Sequence, residues 1–416
     1  MTDLLNVDEA LARILSRIET LPPETVALGQ ALDRVLAADV YAAVDLPPFA
    51  NSSMDGYAVR ASDTLTAGRG KPVVLPVVMD IQAGRVPVRA LNAGEAARIM
   101  TGAPLPEGAD AVIPVEDTDG DWDKQAGAPL LDRVRVFRQV DAGAYVRPVG
   151  EDIQAGTQVL TAGTVLRPQE LGVLAALGQA TVSVTQRPRV AILSSGDELV
   201  RAEDPLTPGK IRDVNSYTLA GLVQTYGGEP LVLPGARDTL DDVRRLFHTA
   251  LEQQPAMIIS SAGVSVGAAD LIRDVLDELG EVGFWRINLR PGKPLAFGEL
   301  RGVPFFGLPG NPVSVMVTFD VLVRPALLKQ GGRPSQWPLI SVIAGEDMRS
   351  DGRRSYVRVR LQYRGDQPVA TTTGTQSSGA LMSMVLADAL MIVPEGVTAI
   401  KAGDTFKARL LRPAVM

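Results

Sequence analysis

The chain reads as a multidomain α/β protein: a doubly wound parallel-sheet domain, preceded by a mostly-β segment and followed by a separate β-domain. Three observations predict this. Between residues 188 and 330, apolar strand-like runs alternate with amphipathic helical patterns. From about 50 to 145, and again after 331, short strand-like segments are broken by Gly, Pro and Asp. At 416 residues the chain also exceeds one ordinary hydrophobic core, which favours two to four domains.

The elements follow in order. Asn6, with Asp8 and Glu9 after it, is an N-cap signature, and Leu11, Ile14, Leu15 and Ile18 recur at helical spacing until Pro22-Pro23 ends the run. Val73-Val74-Leu75, Ala111-Val112-Ile113 and Val134-Arg135-Val136 are the clearest strands of the mostly-β segment. Residues 163–178 return to helical spacing through Leu171, Leu174, Ala175 and Leu177. In the central region Val190-Ala191-Ile192-Leu193 runs into Ser194-Ser195-Gly196-Asp197, and a helix through Leu219, Leu222, Val223 and Tyr226 stops at Gly227-Gly228. Leu231-Val232-Leu233 is a second strand, Val243 to Leu251 a second helix, and Met257-Ile258-Ile259 a third strand, followed by a loop and a helix through Leu271, Val275 and Leu279. Repeated β-α-β of this kind means a parallel sheet, whose ligands sit outside the carboxyl ends of its strands. After Gly331-Gly332-Arg333-Pro334 the pattern alternates, best in Tyr356-Val357-Arg358-Val359-Arg360-Leu361, with Arg358 and Arg360 on one face and the apolar residues on the other.

Composition excludes several functions. With no cysteine there is no disulfide, thiolate metal site or cysteine nucleophile, and the single histidine, His248, leaves any metal to oxygen ligands. His248 falls beside an apolar stripe and reads as a solvated surface residue. A net charge of -7 and 5% aromatic residues argue against general nucleic-acid binding. No leader-like start and no long apolar run appear, so no membrane partner and a cytoplasmic location are expected. Residues 331–416 hold 11 Lys and Arg against 7 Asp and Glu; this end is +4 and residues 1–330 carry -11. A basic C-terminal module beside an acidic body suits holding a small anion.

Four groups of residues have chemistry to offer. Ser260-Ser261-Ala262-Gly263-Val264-Ser265-Val266-Gly267 lies between a strand and a helix, where backbone N–H groups attract phosphate; the same spacing equally suits a tight turn. Asp270 in the next turn is placed to hold Mg²⁺ beside such a phosphate, or is an ordinary acid near a helix start. Asp197, Glu198 and Asp238 put further carboxylates at the same sheet edge, a hard-cation pattern, although Asp238 also reads as a helix cap. Arg290-Pro291-Gly292-Lys293-Pro294 and Gly307-Leu308-Pro309-Gly310-Asn311-Pro312-Val313-Ser314 are proline-stiffened loops that present cations and a hydroxyl, as a preformed oxyanion site needs. By their physics alone, 51–58 and 98–104 are polar loops without assigned chemistry.

Seven segments taken in register resemble the molybdopterin molybdenumtransferase family, which comprises bacterial MoeA proteins, the plant cofactor-insertion domain and the gephyrin E domain. They are Pro47-Pro48-Phe49-Ala50-Asn51-Ser52-Ser53-Met54-Asp55-Gly56-Tyr57-Ala58; residues 98–104 with Glu107-Gly108-Ala109-Asp110-Ala111-Val112; Gly150-Glu151-Asp152-Ile153; Ser195-Gly196-Asp197-Glu198-Leu199; Gly263-Val264-Ser265-Val266-Gly267; Pro291-Gly292-Lys293-Pro294; and 308–314. The resemblance covers nearly the whole chain. It implies a homodimer of four-domain subunits: a discontinuous N-terminal domain (1–50 and 146–182), an inserted mostly-β domain (51–145), a doubly wound molybdopterin-binding domain (183–330) and a C-terminal β-domain (331–416). The implied reaction takes adenylylated molybdopterin and molybdate to molybdenum cofactor and AMP with Mg²⁺. Partners implied beyond the substrates are the molybdopterin adenylyltransferase and the enzymes that accept the cofactor.

By matching position, the resemblance gives Asp55, Thr101 and Asp152 a pterin-side or partner-subunit role. It assigns Glu198, Asp238 and Asp270 to the nucleotide phosphates and cation. Ser265 and Gly267 belong to the phosphate loop, and Arg290, Lys293, Pro294, Ser314, Arg353 and Ser378 to the molybdate pocket. Ala50, Ala262, Arg290 and Ser377 depart from the usual pattern. Arg290 keeps its charge but presents a planar fork in place of a point charge. Rival readings are a non-catalytic scaffold, a tungstate-specific paralogue, and the related adenylyltransferase, against which the extra N- and C-terminal domains speak.

Overall fold

The computed structural model describes residues 4–120, 130–237, 239–261, 268–335 and 338–411. They fall into two compact units: Met1–Val26, Ala31–Ala37 and Ser183–Met416 form one, Ala27–Gln30 and Ala38–Val182 the other.

The first unit is built on a six-stranded sheet. Its elements are α1 (Val7–Leu15), β1 (Arg189–Ser194), α2 (Asn215–Thr225), β2 (Glu229–Val232), α3 (Leu240–Glu252), β3 (Met257–Ser261), α4 (Ala268–Leu279), β4 (Gly280–Arg286), β5 (Pro294–Leu300), β6 (Val303–Leu308) and α5 (Pro312–Thr318). Strand order is β2-β1-β3-β6-β5-β4; β2, β1, β3 and β6 run parallel, while β5 and β4 extend the sheet antiparallel. Alternate residues of β1 serve opposite faces, as the pleat requires. Val190 and Ile192 pack into one core with Leu219, Val315 and Ile14, and Ala191 and Leu193 into another with Phe247 and Val275. Helices on both faces explain why these strands read as continuous apolar runs. The antiparallel pair was not foreseen, because Gly280, Gly283 and Gly298 interrupt its strand signal. His248 is half-buried on α3.

Asn6 caps α1 as expected, its side chain accepting from the N–H groups of Asp8 and Glu9, but the helix ends at Leu15 and Ile18 packs beyond it. The C-terminal part of the unit carries a closed five-stranded barrel of β7 (Ile340–Ala344), β8 (Arg354–Arg364), β9 (Gln367–Thr372), β10 (Ala389–Val393) and β11 (Thr405–Leu410). Its circuit is β8-β9-β7-β11-β10 and back to β8, so no edge is left open. Leu289–Arg290 joins as a sixth, parallel strand beside the start of β8. That pairing carries the Arg290 loop from the sheet onto the barrel.

The second unit centres on a five-stranded sheet in the order Ala111–Pro114, Gly56–Val59, Ala96–Ile99, Val73–Ile81, Arg133–Val136. Two segments expected as loops are therefore partly strand: Gly56–Val59 and Ala96–Ile99 are central and buried throughout, so they show no polar alternation to betray them. The helix expected over 163–178 is confined to Pro168–Ala176, its start fixed by Pro168 in the first turn and by the Arg167 N–H donating to the Glu170 carboxylate at 2.8 Å.

Candidate functional site

At the carboxyl end of β1 the chain enters a cleft of about 730 Å³ walled by Asp197, Lys210, Asp213, Ser216, Tyr217 and Arg237 among others. This volume suits a nucleotide-sized ligand. Asp213 organises it: its carboxylate accepts from Ser194 Oγ (2.7 Å), Ser216 Oγ (2.6 Å) and the Ser216 N–H (3.0 Å). One half-buried carboxylate thereby fixes the end of β1 and the first turn of α2 together. Lys210 Nζ donates to the Asp197 carbonyl. The exposed Glu198 carboxylate folds back against Gly196, where an added Cβ would lie 2.7 Å from it. Two polar atoms at this edge, Asn215 Oδ1 and Ser261 Oγ, are buried without a partner among the described residues. Unsatisfied buried atoms at a sheet's carboxyl edge are what a ligand site leaves.

The 307–314 loop links this cleft to the barrel. Asn215 Nδ2 donates to the Gly310 carbonyl at 2.8 Å, and three residues on, the Val313 N–H donates to the Ser378 carbonyl at 3.1 Å. Ser314 is buried in the first turn of α5. Pro294 begins β5, and Lys293 next to it is exposed, its carbonyl accepting from the Ile287 N–H at 2.8 Å.

A second cavity, about 240 Å³, opens where the Arg290 loop meets the barrel, and Arg290, Arg349, Ser355, Arg358 and Gln376 line it. Arg358 is only 1% exposed, donates to Ser383 Oγ (3.2 Å) and the Ser377 carbonyl (3.1 Å), and makes no ion pair with a carboxylate among the described residues. Burial, with Arg290 nearby, lowers its pKa to about 10, so it stays cationic at neutral pH. Arg353 is differently placed. Its guanidinium is held by Asp351 (2.6 and 3.0 Å) and the Leu289 carbonyl (3.1 Å). Burial opposes ionisation of Asp351, but the Arg353 hydrogen bonds hold its carboxyl below the usual range. Arg358 was missed as a site residue because alternation alone assigns it to one face with Arg360. The first half of β8 is covered on both faces and its second half is not.

Within the second unit Asp55 and Thr101 meet: Asp55 Oδ1 accepts from the Thr101 N–H and Oγ1, each at 2.7 Å. Both are exposed, as is Asp152, whose N–H donates to the Leu46 carbonyl at 2.9 Å. Asp238, Ser265 and Gly267 lie outside the described residues; Asp270 falls in the first turn of α4.

The sequence matches the MoeA N-terminal region (domain I and II) over residues 5–178, a "Probable molybdopterin binding domain" over 191–329 and the MoeA C-terminal region (domain IV) over 341–411. A Mycobacterium tuberculosis protein named molybdopterin molybdenumtransferase 2 is 38% identical over 409 residues, 96% of this chain and 97% of that protein. A Nostoc molybdopterin molybdenumtransferase is 38% identical over 388 residues, 91% and 87% of the two chains. The crystal structure of the molybdopterin biosynthesis MoeA protein from Pyrococcus horikosii superposes with a TM-score of 0.82 at 33% identity, covering 99% of this chain and 100% of that one. With relatives this similar along nearly its whole length, and a fold shared to the same extent, the chain belongs to the MoeA family of molybdopterin molybdenumtransferases.

Proposed function

We propose that this chain is the molybdenum-inserting transferase of molybdenum cofactor biosynthesis, which converts adenylylated molybdopterin and molybdate into molybdenum cofactor and AMP. The observation that carries the reading is Arg358: a buried cation with no carboxylate partner among the described residues, facing a small cavity it shares with Arg290. Retaining a buried guanidinium without a counter-ion is costly, and a tetrahedral oxyanion dianion is the partner that offsets the cost. Ser378 and Ser314 lie on two segments joined by the Val313–Ser378 backbone hydrogen bond, and their hydroxyls are assigned to the same anion.

The cleft at the end of β1 takes the adenylylated pyrophosphate, with Ser216 and Lys210 as donors and Asp213 holding the wall rigid. The cleft offers the carboxylates of Asp197, Asp204 and Asp213 and the hydroxyls of Ser194 and Ser216 beside the cations Arg201, Lys210 and Arg237, with no cysteine or histidine, so a metal ion held here would take oxygen ligands. Glu198, Asp238 and Asp270 would hold Mg²⁺, which when bound supplies positive charge to the phosphate oxygens. Lys293 donates to the phosphate oxygen that gains charge as a water oxygen bonds to phosphorus and the phosphoanhydride P–O bond breaks, so that AMP leaves and the other phosphate stays on the pterin. Arg290, Arg358, Ser314 and Ser378 hold molybdate, and Pro294 and Arg353 brace that pocket. Asp55, Thr101 and Asp152 act from a partner subunit of a homodimer on the pterin. The described residues contain no helix long and apolar enough to cross a membrane. A cytoplasmic setting, with the adenylyltransferase upstream and cofactor-accepting enzymes downstream, completes the proposal.

AMP release from protein loaded with adenylylated molybdopterin and Mg²⁺, with and without molybdate, tests it. Release is expected to depend on molybdate in the intact protein and to fall by roughly 100-fold or more in Lys293→Ala and Asp270→Ala. Molybdate-independent release, or variants as active as the parent, would sink the reading.

A further inference from the structure

The molybdate cavity has two walls from different parts of the first unit, the Arg290 loop and the barrel strand β8, so its width depends on what holds them in register. Direct backbone pairing of Leu289–Arg290 with Arg354 and Ser355 does part of this, together with the Arg354 N–H donating to the Asn288 carbonyl at 3.2 Å. The N-terminal segment does the rest. Leu5 forms a parallel bridge with Ile287: its N–H donates to the Arg286 carbonyl and its carbonyl accepts from the Asn288 N–H, both at 2.8 Å. Residues 286–288 lead through Leu289 into the cavity-lining Arg290.

The next three residues reach the other wall. Asn6 Nδ2 donates to both carboxylate oxygens of Glu395 at 3.1 and 3.2 Å, while Oδ1 of the same amide caps α1. Asp8 takes the Arg354 guanidinium in a two-pronged pair at 2.6 and 2.8 Å. Arg354 also approaches Glu395 at 3.7 Å and immediately precedes Ser355, which lines the cavity. Two-pronged geometry fixes orientation as well as distance, so this pair is more than a loose surface contact.

We infer that residues 5–8 form a positioning clasp for the molybdate cavity, with Leu5 gripping the loop side and Asn6 and Asp8 gripping the barrel side. The inference rests on the proposed function, since it concerns the same cavity. No clasp residue lines the cavity, so Asp8 and Asn6 are positioning residues that act through Arg354 and Glu395. Loosening the clasp widens the oxyanion pocket but leaves the cleft at the end of β1 untouched, so the two substrates separate the effects.

The test compares Asp8→Asn, Asp8→Glu and Asn6→Asp with the intact chain in molybdate-dependent AMP release. Asn6→Asp keeps an oxygen to cap α1 but removes the donor to Glu395 and sets two carboxylates together. The expected result for Asp8→Asn and Asn6→Asp is a KM for molybdate raised about three- to tenfold, with kcat and the affinity for the adenylylated pterin unchanged. Asp8→Glu, which restores a carboxylate, should recover most of the loss. An unchanged molybdate KM in both folded variants would overturn the clasp. So would a fall in kcat, or in pterin affinity, that follows thermal destabilisation, because that marks a merely structural role. If the intact chain shows no molybdate-dependent release at all, the failure is that of the proposed function, and the clasp falls with it.

Discussion

Replacing Arg358 by methionine should abolish tight molybdate binding while leaving the protein as stable as before or more so. The side chain is 1% exposed, its pKa is lowered by burial and by Arg290, and its described bonds run to a serine hydroxyl and a carbonyl. Burying a charge on those terms costs stability, and apolar replacement of buried ionic groups of similar volume is commonly neutral or stabilising by about 1–4 kcal/mol. For the bound anion the balance reverses. Losing one member of a buried charge pair costs roughly 2–5 kcal/mol, an affinity loss of about 30-fold or more. Equilibrium dialysis with molybdate and calorimetric unfolding of the same samples check both halves. A variant that binds molybdate normally removes Arg358 from the site, and one that unfolds makes it a structural residue.

Gly56→Ala is expected to be strongly destabilising to the five-stranded sheet of the second unit, next to Asp55. A Cβ there would stand 1.9 Å from the Ile113 carbonyl oxygen, on a strand paired on both sides. Relief requires moving Gly56–Val59 away from Ala111–Pro114, which breaks buried ladder bonds, and overpacking of this severity costs about 3 kcal/mol or more. Because Asp55 precedes it and holds Thr101, catalytic activity should fall with the fold. Thermal unfolding and AMP release measured together check this, and a variant with parental melting and turnover would contradict the packing argument.

Both predictions concern residues whose importance was unevenly legible. The doubly wound body could be read because β1, β3 and the helices between them keep an apolar period and are bounded by Gly. The loops that carry Lys293 and Ser314 were legible because turns alone do not call for a lysine there. Gly56 stood inside a segment read as a loop, since a central strand of four residues without polar alternation gives no periodic signal. Arg358 was hidden for a related reason: strand periodicity says which face a residue takes, not whether that face is covered. Barrel closure is a tertiary event, and the Asn6–Glu395 contact joins residues 389 apart. Nothing local in a sequence encodes a pairing of that span. Motif resemblance supplied roles for Asp55 and Thr101, whose physics alone described polar loops, and for Asp152, which no physical signal singled out.

Whether the chain inserts molybdenum is decided most directly by the product. The purified protein would be incubated with adenylylated molybdopterin, Mg²⁺ and molybdate, and the pterin recovered for molybdenum content alongside AMP. The account predicts molybdenum bound to the pterin in step with AMP released, and neither product without molybdate. AMP release that leaves the pterin free of molybdenum would contradict it.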